Sequence, residues 1–178
     1  TRADHRADGH PDPRLRRRPR RPRRADQVVV RHVESSDEWI RQRTGIVTRK
    51  RASAGVLALD LAVQAGREAV ARSGVAPEDI DLVIVATISN VRQTPSISAV
   101  VADRVGANPA AAFDTNAACA GFSYGVAQAD ALIRAGATHH ALVIGAEKLS
   151  DVVDPTDRSI SFLLGDGAGA VVLGPSDE

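Results

Sequence analysis

The stretch Ala111-Ala112-Phe113-Asp114-Thr115-Asn116-Ala117-Ala118-Cys119-Ala120-Gly121-Phe122 holds the only cysteine of the chain. Ala111 to Asp114 reads as a strand, and the small residues that follow form a tight turn. From Phe122 to Ile133 the sequence is rich in Ala, Val, Leu and Ile, with Asp130 its one charge. That pattern predicts a helix beginning at the cysteine and buried on most sides. A thiol at such a helix start faces unpaired backbone N–H groups and the positive end of the helix dipole. Those groups favour a negative charge and suit a nucleophile. A lone cysteine can equally be a small buried hydrophobe, and position alone leaves both readings open.

Working outward, the pattern alternates between helix and strand. A helix is predicted from Gly55 to Ser73, with apolar residues at 56, 57, 59, 61, 63 and 70, and Ser73-Gly74 ends it. Pro77-Glu78-Asp79-Ile80 predicts a short helical turn. Leu82-Val83-Ile84-Val85-Ala86 is a β-branched apolar run of the kind buried on both faces of a sheet. A helix from Ser96 to Val105 follows Pro95 and stops at Gly106. Ala141-Leu142-Val143-Ile144-Gly145 predicts another buried strand, and Arg158–Leu164 with Ala168–Leu173 a final strand pair. The fold class is therefore α/β, a mainly parallel sheet between helices.

Hydrophobic residues make up 43% of the chain but aromatic residues only 3%: Trp39, Phe113, Phe122, Tyr124 and Phe162. Charges interrupt every apolar stretch, so no membrane span is expected. One cysteine excludes an intrachain disulfide framework and fits a reducing cytoplasm. The sequence shows no metal-ligand cluster, no Walker loop and no repeat. The net charge of +1 hides a basic start. Residues 1–24 carry ten arginines against three aspartates, a net +7, so the remainder carries −6. Residues 1–30 form an Arg/Pro-rich tail without apolar period, expected to be disordered. Such a tail reads as an anionic-surface or nucleic-acid binder, as a basic extension, or as the product of an upstream frame error; the last is the reading favoured here, and nucleic acid is not an expected partner. A secretory or organellar signal fits poorly.

Four ordered motifs then carry a family resemblance. Ser35-Ser36-Asp37-Glu38-Trp39-Ile40 with Arg43-Thr44-Gly45-Ile46, Ala118-Cys119-Ala120-Gly121-Phe122, Asp154-Pro155-Thr156-Asp157-Arg158, and Gly165-Asp166-Gly167-Ala168-Gly169-Ala170 resemble, in order and spacing, the signatures of the β-ketoacyl-acyl-carrier-protein synthase III family. The glycine run is no dinucleotide loop, because Val171-Val172-Leu173 predicts a strand where that fingerprint needs a helix.

The resemblance implies a thiolase-like fold of two similar halves, of which residues 31–178 match the N-terminal one. It implies Cys119 as the acylated nucleophile, and Trp39 and Arg158 as the sandwich around the adenine of coenzyme A, with Arg43 at the nucleotide end. A histidine and an asparagine are implied in the second half. None of His5, His10, His32, His139 and His140 sits in a matching context, and His139-His140 read as a solvent edge. The implied partners are acyl-CoA and malonyl-acyl carrier protein, with a homodimer for the full-length enzyme and no cofactor, acyl-CoA being a substrate. The segment Ile88–Ser98 is implied near the acyl pocket, with Thr94 where a bulky ring can limit chain length. The Asp166–Ala170 glycines are expected to bring a strand close to the active-site backbone. Two other readings stay open: a polyketide starter-unit acyltransferase of the same fold, and a truncated, non-catalytic product.

Overall fold

Leu82–Ala86 (β1) is buried along its whole length, because each face of the sheet is covered by a different layer. A computed structural model describes residues 35–176; the 1–30 tail lies outside them. Strands β2 (Ala111–Thr115) and β3 (Ala141–Lys148) flank β1, and β4 (Asp166–Leu173) follows β3, giving the order β2-β1-β3-β4. β1 runs parallel to both neighbours, with Leu82 opposite Ala111 and Ala141, and Ala86 opposite Thr115 and Gly145. β4 is antiparallel to β3, from Ala141↔Leu173 to Lys148↔Asp166.

The period of two divides the core. Val83, Val85, Leu142, Ile144 and Ala146 face α2 (Ala58–Ser73) and α3 (Ile97–Val105), where they pack on Ala62, Val63, Val70, Val101 and Val105. Leu82, Ile84, Ala141 and Val143 face α4 (Gly121–Arg134), packing on Ala129. A third, small cluster joins Ile40 of α1 (Asp37–Thr44) to Phe162, with Trp39 beside it.

Several expectations are corrected. The helix predicted from Gly55 begins at Ala58: Gly55 has φ +85°, and the Asp60 carboxylate accepts the Leu57 N–H (3.0 Å), which fixes the start. β3 runs three residues past Gly145, because β4 pairs with it as far as Lys148. Arg158–Leu164 is no strand. The Asp157 carbonyl accepts the Ser161 N–H (3.0 Å), its carboxylate accepts the Ser159 N–H (2.7 Å), and these local bonds curl the segment into turns. The helix after Cys119 starts at Gly121 and buries one stripe only, Gly121, Gly125 and Ala129. Phe122 and Tyr124 are 38% and 56% exposed. The apolar run fills a tight contact on one side of α4, while its other side is bare. Gly167 and Gly169 are not required by a close contact on their side-chain faces, since a Cβ on either would meet nothing within 4 Å. The close approach is at Gly165, where a Cβ would lie 3.0 Å from the Lys50 carbonyl oxygen. Among the described residues no helix is long and apolar enough to cross a membrane.

Candidate active site

The three parallel strands end at Ala86, Thr115 and Lys148, and the segments leaving these ends assemble at one edge of the sheet. Such carboxyl edges of α/β sheets are where ligands bind. Cys119 follows β2 there. It lies in a single 3₁₀ turn, Ala118–Ala120, closed by the Ala120 N–H donating to the Ala117 carbonyl (3.0 Å), and α4 departs directly after it. The cysteine is therefore two residues before the helix and not its first residue. It is exposed, so the buried-hydrophobe reading fails.

Two features place this turn. Ala118 is the one non-glycine among the described residues with positive φ, +46°. This left-handed conformation costs an L-residue about 1–2 kcal/mol. Gly121 and Gly125 then let α4 lie directly on the sheet. A Cβ at Gly121 would stand 3.1 Å from the Ala86 Cβ, and one at Gly125 would stand 3.0 Å from Val143 Cγ1. The start of α4 is thereby pressed against the ends of β1 and β2.

Neighbouring carboxylates fix the surrounding loops. Asp114, at the end of β2, accepts the N–H groups of Ile97 (3.0 Å) and Ser98 (2.9 Å), holding the start of α3. Glu147, near the end of β3, accepts the N–H groups of Ile88 (2.9 Å) and Ser89 (3.1 Å) and the Ser89 hydroxyl, so the loop after β1 is tied to β3. Lys148 is buried and pairs with Asp151 at 2.8 Å. Asp166, also buried, accepts the Ala52 N–H (2.7 Å) and both the N–H (2.9 Å) and hydroxyl (2.7 Å) of Ser150. Asp114 and Asp166 lie in stretches quoted from the sequence, but none of these acids was read there as an anchor. The available signal was an acid at or beside a strand end, where its carboxylate can reach orphan loop N–H groups. The loop itself carries Ile88 and the 90% exposed Val91. It borders a cleft of about 420 Å³ lined by Leu57, Val91, Pro95, Ile97, Val100 and Arg104. Thr94 is exposed and is not among the residues lining this cleft.

The three residues expected at the nucleotide come together. Ser36 caps α1 by accepting the Trp39 N–H (3.1 Å). One turn on, Arg43 brings its guanidinium carbon to 4.7 Å from the Trp39 ring centroid. Arg158, on the segment following β3, lies 5.4 Å from the same centroid. Phe162 meets the indole edge-on, with centroids 5.5 Å apart. Arg158 stands between two side-chain turns. Asp154 accepts the Thr156 N–H (2.8 Å) and hydroxyl (2.7 Å), and Asp157 accepts the same groups of Ser159 (2.7 and 2.6 Å). These bonds hold both carboxyls below their ordinary range. The segment is clamped to the chain after α1 by Arg49, which donates to the Phe162 carbonyl, and by Arg51, which donates to the Ser161 carbonyl (2.9 Å).

His139 and His140 sit just before β3, at the opposite end of the parallel strands from Cys119. Five strand residues separate the two edges, roughly 13 Å at 3.3 Å per residue. Among the described residues no group of His, Cys, Asp and Glu could hold a metal ion.

Comparison with known proteins gives the class and then the family. The priming β-ketosynthase of the R1128 polyketide pathway superposes with a TM-score of 0.85 at 44% identity, covering 89% of this chain and 48% of that one. The 3-oxoacyl-[acyl-carrier-protein] synthase III of Aquifex aeolicus gives 0.82 at 42%, covering 86% and 50%. The architecture is thus that of a thiolase-fold condensing enzyme. Residues 113–178 match the family model for 3-oxoacyl-[acyl-carrier-protein (ACP)] synthase III. The β-ketoacyl-[acyl-carrier-protein] synthases III of Kocuria rhizophila and Tropheryma whipplei are 60% and 55% identical over 84% and 82% of this chain. The chain belongs to the 3-oxoacyl-[acyl-carrier-protein] synthase III family. It spans 42% and 45% of the length of those two relatives.

Proposed function

We propose that this chain carries the acyl-accepting part of a 3-oxoacyl-ACP synthase III of fatty-acid synthesis in the cytoplasm, with Cys119 as nucleophile. The observation that supports it is the exposed Cys119 on a strained turn at the carboxyl edge of the sheet, the edge from which the segment bearing Arg158 also departs. The thiolate attacks the thioester carbonyl of acyl-CoA. A new C–S bond forms, the old one breaks, and the coenzyme A thiol leaves with the proton that Cys119 lost. Backbone N–H groups at the head of α4 face the developing oxyanion. Small neighbours Ala117, Ala118, Ala120 and Gly121 leave room for the thioester.

Trp39, Arg43 and Arg158 hold the nucleotide. Two stacked layers at about 3.4 Å each need roughly 7 Å between the outer groups. Arg158 is 5.4 Å from the indole centroid, so it must swing outward to admit adenine and then stack on its far face. The second half-reaction joins the stored acyl group to a malonyl-carrier-protein carbanion. It draws on the histidine and asparagine of the family's second half, and on the homodimer for closing the acyl pocket. A polyketide starter-unit enzyme is the second reading, favoured by the superposition on a priming β-ketosynthase.

The test is release of free coenzyme A thiol when acyl-CoA meets the protein. A burst approaching one thiol per chain is expected, with none from Cys119→Ser. Trp39→Ala should weaken acyl-CoA binding by about 1–3 kcal/mol, the scale of one base-stacking contact. An undiminished burst from Cys119→Ser would overturn the reading.

A further inference from the structure

Trp39 is the only tryptophan of the chain, and it stands on a helix too short to fix it unaided. α1 has eight residues and buries one of them, Ile40. Isolated helices below about 12–15 residues are marginal in water, so tertiary contacts hold α1 in place. Among the described residues the apolar cluster that does so joins Ile40 and Trp39 to Phe162. Trp39 itself is half-buried. The Phe162 ring stands at 83° to the indole with 5.5 Å between centroids, the edge-to-face geometry that aromatic pairs favour.

We propose that Phe162 is a positioning residue for the nucleotide of the acyl donor, acting through Trp39: its ring sets the plane on which adenine stacks. The proposal rests on the reading of Trp39 as the nucleotide platform. Phe162 is 7% exposed, so it acts on the indole and not on the ligand. The outer torsion of an aromatic side chain is broad, and a ring left free to turn must be ordered by the ligand at a cost in affinity. An edge contact from Phe162 removes that freedom beforehand. Phe162 is itself held by its backbone. Its carbonyl accepts from Arg49, and the Ser161 carbonyl accepts from Arg51 (2.9 Å), both donors coming from the chain that follows α1. The same turn of chain carries Arg158, whose guanidinium lies over the indole, because the Asp157 carbonyl accepts the Ser161 N–H (3.0 Å). Phe162 thus registers the platform against its second stacking group. Leucine at this position fills the space with apolar atoms but presents no ring edge.

The test follows acylation of the 178-residue chain by two donors, acetyl-CoA and acetyl-pantetheine, the latter without the nucleotide. Phe162→Leu should raise the half-saturating concentration of acetyl-CoA about two- to tenfold, the worth of one aromatic pair, and leave that of acetyl-pantetheine alone. Phe162→Tyr keeps the ring and should keep the wild-type ratio between donors. The single tryptophan supplies a second readout. Its fluorescence anisotropy decay should gain a subnanosecond component, the timescale of a freed side chain, in Phe162→Leu and show none in the wild type. An equal rise for both donors, or no rise for either, overturns the proposal. If Trp39→Ala weakens acetyl-CoA while Phe162→Leu does not, the proposal alone fails; if Trp39→Ala changes nothing, the nucleotide reading fails and the proposal with it. Should Phe162→Leu not fold, the wild type decides: a subnanosecond component there shows an indole that Phe162 does not hold.

Discussion

Ala118 is the residue on which the geometry of the thiol depends. Its φ of +46° is a conformation that glycine adopts freely and alanine does not. Ala118→Gly removes about 1–2 kcal/mol of strain but adds about 0.4–1 kcal/mol of unfolded-state entropy. The net expectation is a gain of about 0.5–1 kcal/mol in a urea titration, with slower acylation because the turn is held less firmly. A loss of about 1 kcal/mol, the usual cost of Ala→Gly in regular structure, would contradict the strain argument. The cysteine itself was legible because it is the only one and lies among small residues after a strand. Its left-handed neighbour was not, since nothing in Ala-Cys-Ala announces a positive φ. Asp114, Glu147 and Asp166 were equally silent, because a carboxylate's partners are loop N–H groups distant in sequence.

At the scale of elements, strands were legible where β-branched runs are buried on both faces, as in Leu82–Ala86, and helices where a breaker follows, as at Gly74 and Gly106. Arg158–Leu164 misled because apolar content says nothing of Asp157, whose local bonds outcompete a ladder. The run after Cys119 misled because apolar character was equated with full cover, whereas α4 buries a single stripe. That stripe gives a direct test. Intrinsic propensity favours alanine over mid-helix glycine by about 1 kcal/mol, yet a Cβ at Gly125 would lie 3.0 Å from Val143 Cγ1. Gly125→Val should destabilise by about 1–3 kcal/mol, the range of core overpacking; an unchanged urea midpoint would show that α4 sits loosely. The α4–β3 connection supplies a pH dependence. Partial burial pushes the Asp81 carboxyl up, but the bonds it accepts from the Thr138 hydroxyl and the His139 and His140 N–H groups outweigh this and hold it below its ordinary value. A depressed carboxyl contributes stability at pH above its unfolded value, about 3.9, and loses it as pH falls through the folded value. The gap in urea midpoint between wild type and Asp81→Asn should therefore be widest near neutrality and shrink below about pH 4. A gap that is constant, or that widens in acid, would contradict this.

For the whole molecule, the sheet has one thick layer, α2 and α3 over Val83, Val85, Leu142 and Ile144, and one thin layer, α4 alone over Ile84 and Val143. Cys119 stands at the end of the thin side. His139 and His140 stand at the far edge, so among the described residues no histidine stands beside the thiol. Incubated with acyl-CoA and malonyl-carrier protein, the 178-residue chain should become acylated yet form no 3-oxoacyl product detectable by mass spectrometry, because partners that act as a unit cannot be lost singly without orders of magnitude in rate. The central claim is narrower still: one acyl group, on one sulfur. Peptide mapping by mass spectrometry after incubation with acyl-CoA tests it most directly. The account predicts a single acyl adduct on the peptide containing Cys119, as a thioester released by hydroxylamine. An adduct located elsewhere, or none on Cys119 while the chain remains folded and binds acyl-CoA, would contradict it.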